Sequence, residues 1–73
     1  MSTETQTIEI VVNGKHTGVP RGETVLGLLG ILAIPPDRVA VEVDRRIIKQ
    51  AEWPATVLNP GAEVEIVHFV GGG

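Results

Sequence analysis

The chain has 73 residues, 42% hydrophobic and 3% aromatic, with a net charge of −3, two histidines and no cysteine. This length fits one small domain with an aliphatic core, and the missing cysteines exclude disulfides and thiolate metal sites, so we predict no metal site. Acidic charge with few aromatics disfavours nucleic-acid binding. No apolar run approaches the about 20 residues of a membrane helix. We therefore expect a cytoplasmic protein.

A hairpin is predicted at the beginning of the domain. After a polar lead-in, Met1–Gln6, which we expect to fray, the β-branched run Thr7–Val12 reads as a strand. Asn13-Gly14 favours a two-residue type I′ turn, because both residue types tolerate positive φ. A returning strand, Lys15–Val19, is expected to end near Pro20, which cannot donate to a ladder.

One helix is predicted next. Thr24 is a candidate N-cap, and Pro35-Pro36 is expected to stop the helix, which would be about ten residues long. Gly27 and Gly30 weaken it by up to about 1 kcal/mol each relative to alanine, so packing must hold it. The apolar stripe consists of Val25, Leu28, Leu29 and Leu32.

The second half of the chain reads as strands and turns. Val39, Val41 and Val43 alternate with other residues and are expected on one face of a strand. The remaining elements, in order, are a turn at Arg45-Arg46, a short strand at Ile47-Ile48, an irregular segment or single helical turn at Gln50–Pro54, a turn at Asn59-Pro60-Gly61 and a last strand at Glu63–Phe69.

The element order is strand, strand, helix, strand, short strand, strand. One amphipathic helix over one face of a mixed four- to five-stranded sheet buries both apolar surfaces in two layers. We therefore predict an α+β fold of the β-grasp type, also called the ubiquitin-like roll. The predicted organisation is a flexible lead-in (1–6), the β-grasp domain (7–70) and a flexible glycine tail (71–73).

Catalytic side chains are scarce. There is no cysteine, no histidine or acid pair on the predicted helix, and no phosphate-binding loop with a lysine. We expect His68 to be a structural histidine on the core face, bonded to the backbone, and Trp53 to anchor the irregular segment. The chain is therefore predicted not to be an enzyme by itself.

One face of the sheet is a candidate docking surface. Glu9, Glu42, Glu63 and Glu65 fall opposite the core residues, which fits either a solvated face or an acidic patch that steers a basic partner. Apolar residues share this face by period two, and they are either isolated exposed hydrophobes or a docking patch. The predicted docking residues are Val11, Ala40, Val67, Phe69 and the adjoining Val70; Arg38, Arg45, Arg46 and Lys49 form a basic group around the third strand.

The last three residues are Gly71, Gly72 and Gly73. They fit a frayed end or a cloning remnant, or else a functional arm. Glycine has no Cβ, so such an arm fits a narrow tunnel in another protein, and three residues reach roughly 10 Å. The arm would carry the terminal carboxylate, which is inert until it is activated, for example as an acyl-adenylate.

Five segments in this order and spacing resemble the ThiS family of sulfur carriers, small β-grasp proteins related to MoaD and ubiquitin. They are Ile10–Gly14, Glu23–Leu29, Arg38–Val43, Trp53–Leu58 and Val64–Gly73. The chain departs from the family at Asp44-Arg45-Arg46, where Asn-Gly is frequent, and it has a longer lead-in and a third glycine.

The resemblance implies that a ThiF-like enzyme adenylates the carboxylate of Gly73. A cysteine desulfurase or related donor then supplies sulfur for a thiocarboxylate, and a ThiG-like thiazole synthase takes that sulfur for thiamine. This chain would bind no cofactor, since ATP and Mg²⁺ belong to the activating partner. A MoaD-like carrier for molybdopterin, a ubiquitin-like protein modifier and a plain β-grasp binding module remain alternatives.

Overall fold

The computed structural model of the protein describes residues 6–70. Gly71–Gly73, and the lead-in up to residue 5, lie outside the described residues. The strands are β1 (Thr7–Val12), β2 (Lys15–Pro20), β3 (Val39–Val43), β4 (Arg46–Ile48) and β5 (Glu63–His68); the α-helix is α1 (Val25–Ile31), and the short 3₁₀ helices are Pro36–Arg38 and Gln50–Ala55.

The five strands form one mixed sheet in the order β2-β1-β5-β3-β4. β1 and β5 run parallel in the centre, and the other neighbouring pairs are antiparallel. The helix covers one face, so the predicted β-grasp fold is confirmed. Because β5 is central, the segment that follows it leaves from the middle of the sheet and not from an edge.

Both hairpins use turns with two left-handed residues. Asn13 and Gly14 have φ of 49° and 81°, which confirms the predicted type I′ geometry. The second turn lies at Asp44 and Arg45, with φ of 51° and 70°, so its prediction at Arg45-Arg46 was wrong by one residue. An arginine rarely adopts positive φ, and this hides the turn from a sequence reading.

The helix is shorter than predicted, with seven residues. Its start confirms the predicted cap, because the Thr24 hydroxyl accepts a hydrogen bond from the Gly27 N–H at 3.0 Å. It ends at Ile31 in a Schellman turn, in which Ala33 has φ of 58° and the Ile34 N–H donates to the Leu29 C=O at 2.9 Å. The helix therefore stops before Pro35-Pro36, and these prolines only prevent the helix from continuing after the turn.

The core lies between the helix and one face of the sheet. The Trp53 ring closes one end, and its indole N–H donates to the Ile48 C=O at 2.9 Å, which confirms its predicted anchoring role. The buried core residues are Ile8, Ile10, Val19, Val25, Leu28, Leu29, Val39, Val41, Trp53, Leu58, Ala62, Val64 and Ile66.

Candidate functional site

The face of the sheet opposite the helix is the candidate functional site, and we call it the outer face. The strand registers place Ala40 opposite Val67 and Glu42 opposite both Glu65 and Ile47. Since side chains alternate along a strand, these residues point away from the core side that holds Val41 and Ile66. The described outer-face residues of the four strands β1, β3, β4 and β5 are Thr7, Glu9, Val11, Ala40, Glu42, Ile47, Glu63, Glu65 and Val67.

Most of the predicted docking residues gather at one end of this face. Val67 is 54% exposed and lies beside half-buried Ala40, and Phe69 and Val70 follow it with exposures of 59% and 94%. The backbone N–H of Phe69 donates to the Arg38 C=O at 2.9 Å, so the chain stays bonded to the start of β3 there. An apolar group therefore lies immediately before the glycine tail.

Val11 does not join that group. It is half-buried and lies opposite Glu63, four residues before Val67 along β5, with Glu65 between them on the same face. The five predicted docking residues are thus not one continuous apolar patch. Carboxylates separate Val11 from the other four.

Ile47 is an outer-face residue that the sequence analysis did not assign. It is the most exposed isoleucine of the described chain, at 74%, and its register places it beside Glu42. The alternation of the short strand could have assigned Ile47 to this face, but only if the preceding turn had been placed correctly. Once the turn is placed at Asp44-Arg45, Ile47 takes the outer face and Ile48 the inner face.

The outer face is acidic. Glu42 and Glu65 lie directly opposite each other on β3 and β5, and like charges placed in this way destabilise a sheet. Among the described residues the one close contact between an acidic and a basic side chain joins Glu9 Oε2 and His16 Nδ1 at 3.1 Å, and both side chains are exposed. A basic surface on a partner would therefore relieve repulsion as well as gain attraction.

The predicted basic group is divided in space. Arg38 comes just before β3, while Arg45 and Arg46 lie beyond its other end, and β3 has five residues, or about 16 Å. All three side chains are exposed, as is Lys49. They are close in sequence but occupy opposite ends of the strand.

His68 departs from its predicted environment. It is exposed, and its side chain makes no hydrogen bond to another described residue. The alternation is correct, since His68 lies opposite Val39 on the inner side, but β5 ends beyond the cover of the core. His68 is exposed because it is the last residue of β5. The prediction of a backbone-bonded histidine was therefore wrong.

Pockets, clustered metal ligands and membrane-spanning helices are all absent from the part of the chain that the structure describes. Residues 6–70 contain no detected pocket and no group of three or more potential metal ligands. No helix in that range is long and apolar enough to span a membrane.

Comparisons with known proteins agree with this geometry. The model of the ThiS family matches residues 4–73. A solved structure of thiamine biosynthesis protein ThiS from Geobacter metallireducens superposes with a TM-score of 0.80 at 30% identity, covering 90% of this chain and 100% of that one.

Two curated relatives carry another name. A thiazole synthase from Magnetococcus marinus is 36% identical over 66 residues, and one from Paramagnetospirillum magneticum is 35% identical over 66 residues. Each match covers 90% of this chain and 20% of the relative, so the chain spans about a fifth of their length.

Proposed function

The chain belongs to the ThiS family, and on that premise we propose that it is a sulfur carrier for thiazole formation in thiamine biosynthesis. The carboxylate of Gly73 is adenylated and then converted to a thiocarboxylate. The observation that carries the proposal is the family match through Gly73, joined to a fold whose central strand ends at His68, with two residues between it and the three glycines.

The chemistry takes place on the tail and is supplied by partners. In the active site of a ThiF-like enzyme, a carboxylate oxygen of Gly73 attacks the α-phosphorus of Mg²⁺-bound ATP, and pyrophosphate leaves. A persulfide from a cysteine desulfurase or related donor then attacks the carbonyl carbon, and AMP leaves. A thiol then attacks the sulfur of the donor cysteine in the resulting acyl disulfide, so that a new disulfide forms and the thiocarboxylate leaves. No step needs a side-chain nucleophile or base from this chain, which acts as a protein co-substrate through its terminal carboxylate.

The outer face supplies recognition for these encounters. Val67, Phe69 and Val70 are exposed next to the tail, so a partner that contacts them holds the glycines near its active site. Gly71, Gly72 and Gly73 then extend roughly 10 Å into that site, and glycine passes through a tunnel that a Cβ would block. The proposed docking residues are those predicted from sequence, with Ile47 added at the edge.

The charge of the outer face indicates what kind of partner surface fits. Glu42, Glu63 and Glu65 lie on neighbouring strands without a lysine or arginine ion partner among the described residues. A basic surface on the ThiF-like enzyme complements them and accelerates association. The association rate is accordingly expected to fall as salt is added, because salt screens exposed charges.

A ThiG-like thiazole synthase is the proposed sulfur acceptor. The support is that two relatives of this chain bear the name thiazole synthase, with the matched region forming a fifth of each. A carrier region within the same chain as a synthase meets it at a high effective concentration, whereas a separate carrier must dock. We expect these reactions in the cytoplasm, where thiols are kept reduced.

Intact-mass measurement tests the proposal. The chain is incubated with its cognate ThiF-like enzyme, Mg-ATP, a cysteine desulfurase and cysteine, and the expected product is heavier by the difference between one sulfur and one oxygen. A variant that lacks Gly72 and Gly73 should stay unmodified and keep its melting temperature. An unchanged mass, with an enzyme set that modifies another carrier, contradicts the proposal. Attachment to lysines of other proteins would instead indicate a protein modifier.

A further inference from the structure

The side chain of Asn13 joins the first hairpin turn to the last strand. Its Oδ1 accepts a hydrogen bond from the Ile66 N–H at 2.7 Å, and its Nδ2 donates one to the Ile66 C=O at 3.2 Å. We call these two bonds, which span 53 positions of sequence, the Asn13 clamp. An amide group has both a donor and an acceptor, so it imitates the peptide group of a neighbouring strand.

The clamp lies where β1 leaves β5. β1 is paired with β5 through Val12 and Val64, and the Asn13 N–H still donates to the Val64 C=O at 2.8 Å before the chain turns into β2. The side chain then continues the hydrogen bonding to Ile66, two residues farther along β5. On the opposite edge β3 pairs with β5 as far as His68. β5 is therefore held from both sides up to Ile66.

The turn alone does not require an amide. Glycine and aspartate also suit the first position of a type I′ turn. The second turn of this chain shows the alternative, since Asp44 accepts from the Glu63 N–H through Oδ1 at 3.0 Å and donates to the Glu63 C=O through its backbone at 2.8 Å. A carboxylate is enough there. At Asn13 the backbone N–H is already bonded to the Val64 C=O. The side chain must therefore supply both the acceptor for the Ile66 N–H and the donor for the Ile66 C=O.

We propose that Asn13 is a positioning residue for the reaction at Gly73. The inference rests on the proposed function and adds a specific requirement to it. By fixing Ile66 from the β1 side, the clamp sets the direction in which the following residues leave the sheet. A partner docked on the outer face then meets the start of the tail at a fixed position on β5.

The consequence is kinetic. Gly73 is seven residues beyond Ile66, which corresponds to at most roughly 25 Å of extended chain. If the β1 side of Ile66 is released, β3 alone holds the end of β5, up to the bond from the Phe69 N–H to the Arg38 C=O. The end of β5 then moves more widely, and fewer docked complexes hold the carboxylate near ATP. We expect kcat for adenylation to fall about fivefold to tenfold, since reaction requires a near-attack geometry. KM should change less than twofold, because the docking residues remain on the outer face.

Two variants of Asn13 and one control separate this role from simple stability. Asn13→Gly keeps the positive φ of the turn and removes both bonds, whereas Asn13→Asp keeps the acceptor and loses the donor. Thr24→Ala removes one comparable hydrogen bond at the start of α1. For each chain, pyrophosphate release by the ThiF-like enzyme gives KM and kcat, and hydrogen exchange gives the protection of the Ile66 amide.

The expected result is a lower kcat in both Asn13 variants, with the wild-type kcat in Thr24→Ala. Exchange of the Ile66 amide should be faster in Asn13→Gly and less affected in Asn13→Asp, which keeps the acceptor for the Ile66 N–H. Faster exchange with an unchanged kcat overturns the positioning role, as does an equal loss of kcat in Thr24→Ala. A raised KM with normal kcat also overturns it and assigns Asn13 to docking. A wild-type chain that is never adenylated refutes the proposed function itself, whereas an active wild type with an equally active Asn13→Gly refutes only this inference.

Discussion

Both faces of the sheet carry valine and isoleucine, but these side chains meet different surroundings on the two faces. Along β5, Val64 and Ile66 are buried beneath the helix, while Val67 on the opposite face is more than half exposed. Valine on one face stabilises the fold, and valine on the other is available for contact with another protein. The side on which a residue lies, and not its hydrophobicity, therefore separates stability from recognition in this domain.

The inner face should dominate stability. Leu28→Ala removes a fully buried side chain between helix and sheet and is expected to lower the free energy of unfolding by about 2–5 kcal/mol. A domain of this size has only about 4–11 kcal/mol in total, so the variant should lose a large share of its stability. Urea denaturation followed by circular dichroism measures the loss. A change below 1 kcal/mol would contradict the described core.

The outer face should dominate recognition. Phe69→Ala is expected to weaken binding to the ThiF-like enzyme by about tenfold or more, since exposed aromatics at an interface carry much of the binding energy. Its free energy of unfolding should change by less than about 1 kcal/mol. Leu26→Ala, which truncates an exposed leucine on the helix, is the matched control. Titration calorimetry would argue against the docking assignment if both variants bound alike.

The helix cap should contribute to stability but not to docking. Thr24→Ala removes the bond to the Gly27 N–H and should lower the free energy of unfolding by about 1 kcal/mol. Thr24→Ser keeps the hydroxyl and is expected to retain most of the stability. Thermal unfolding of the two variants measures the difference. Equal losses in both would show that the Thr24 methyl group, and not the cap, is responsible.

A small gain is expected at the second turn. Arg45→Gly relieves a left-handed arginine and should raise the free energy of unfolding by about 0.5–1 kcal/mol. Arg46→Gly is the control, because Arg46 lies in β4, where glycine weakens a strand. Denaturation midpoints of the two variants should move in opposite directions, and a shared direction would contradict the assigned turn.

Local chemistry explains what could be predicted from the sequence. Asn13-Gly14, the Thr24 cap and the alternation of Val39, Val41 and Val43 depend on neighbouring residues, and all three predictions were confirmed. The same alternation placed Val67 and Phe69 on the exposed face.

The predictions that failed depend on distant partners or on unusual backbone geometry. Ala33 and Arg45 adopt positive φ without being glycine, so the helix end and the second turn were misplaced. Ile47 was missed because its face follows from that turn, and the exposure of His68 depends on where the core ends. The Asn13 clamp joins residues 53 positions apart, and no local pattern reveals it.

Transfer of labelled sulfur tests the central claim most directly. With ³⁵S-cysteine, a cysteine desulfurase, the ThiF-like enzyme and Mg-ATP, the label should appear on this chain, and adding a ThiG-like thiazole synthase with its other substrates should move it into a small thiazole product. Removing Gly72 and Gly73 should abolish both signals. Label that stays on the chain in the presence of the synthase, or that moves only into a molybdopterin precursor, would contradict a role in thiazole formation.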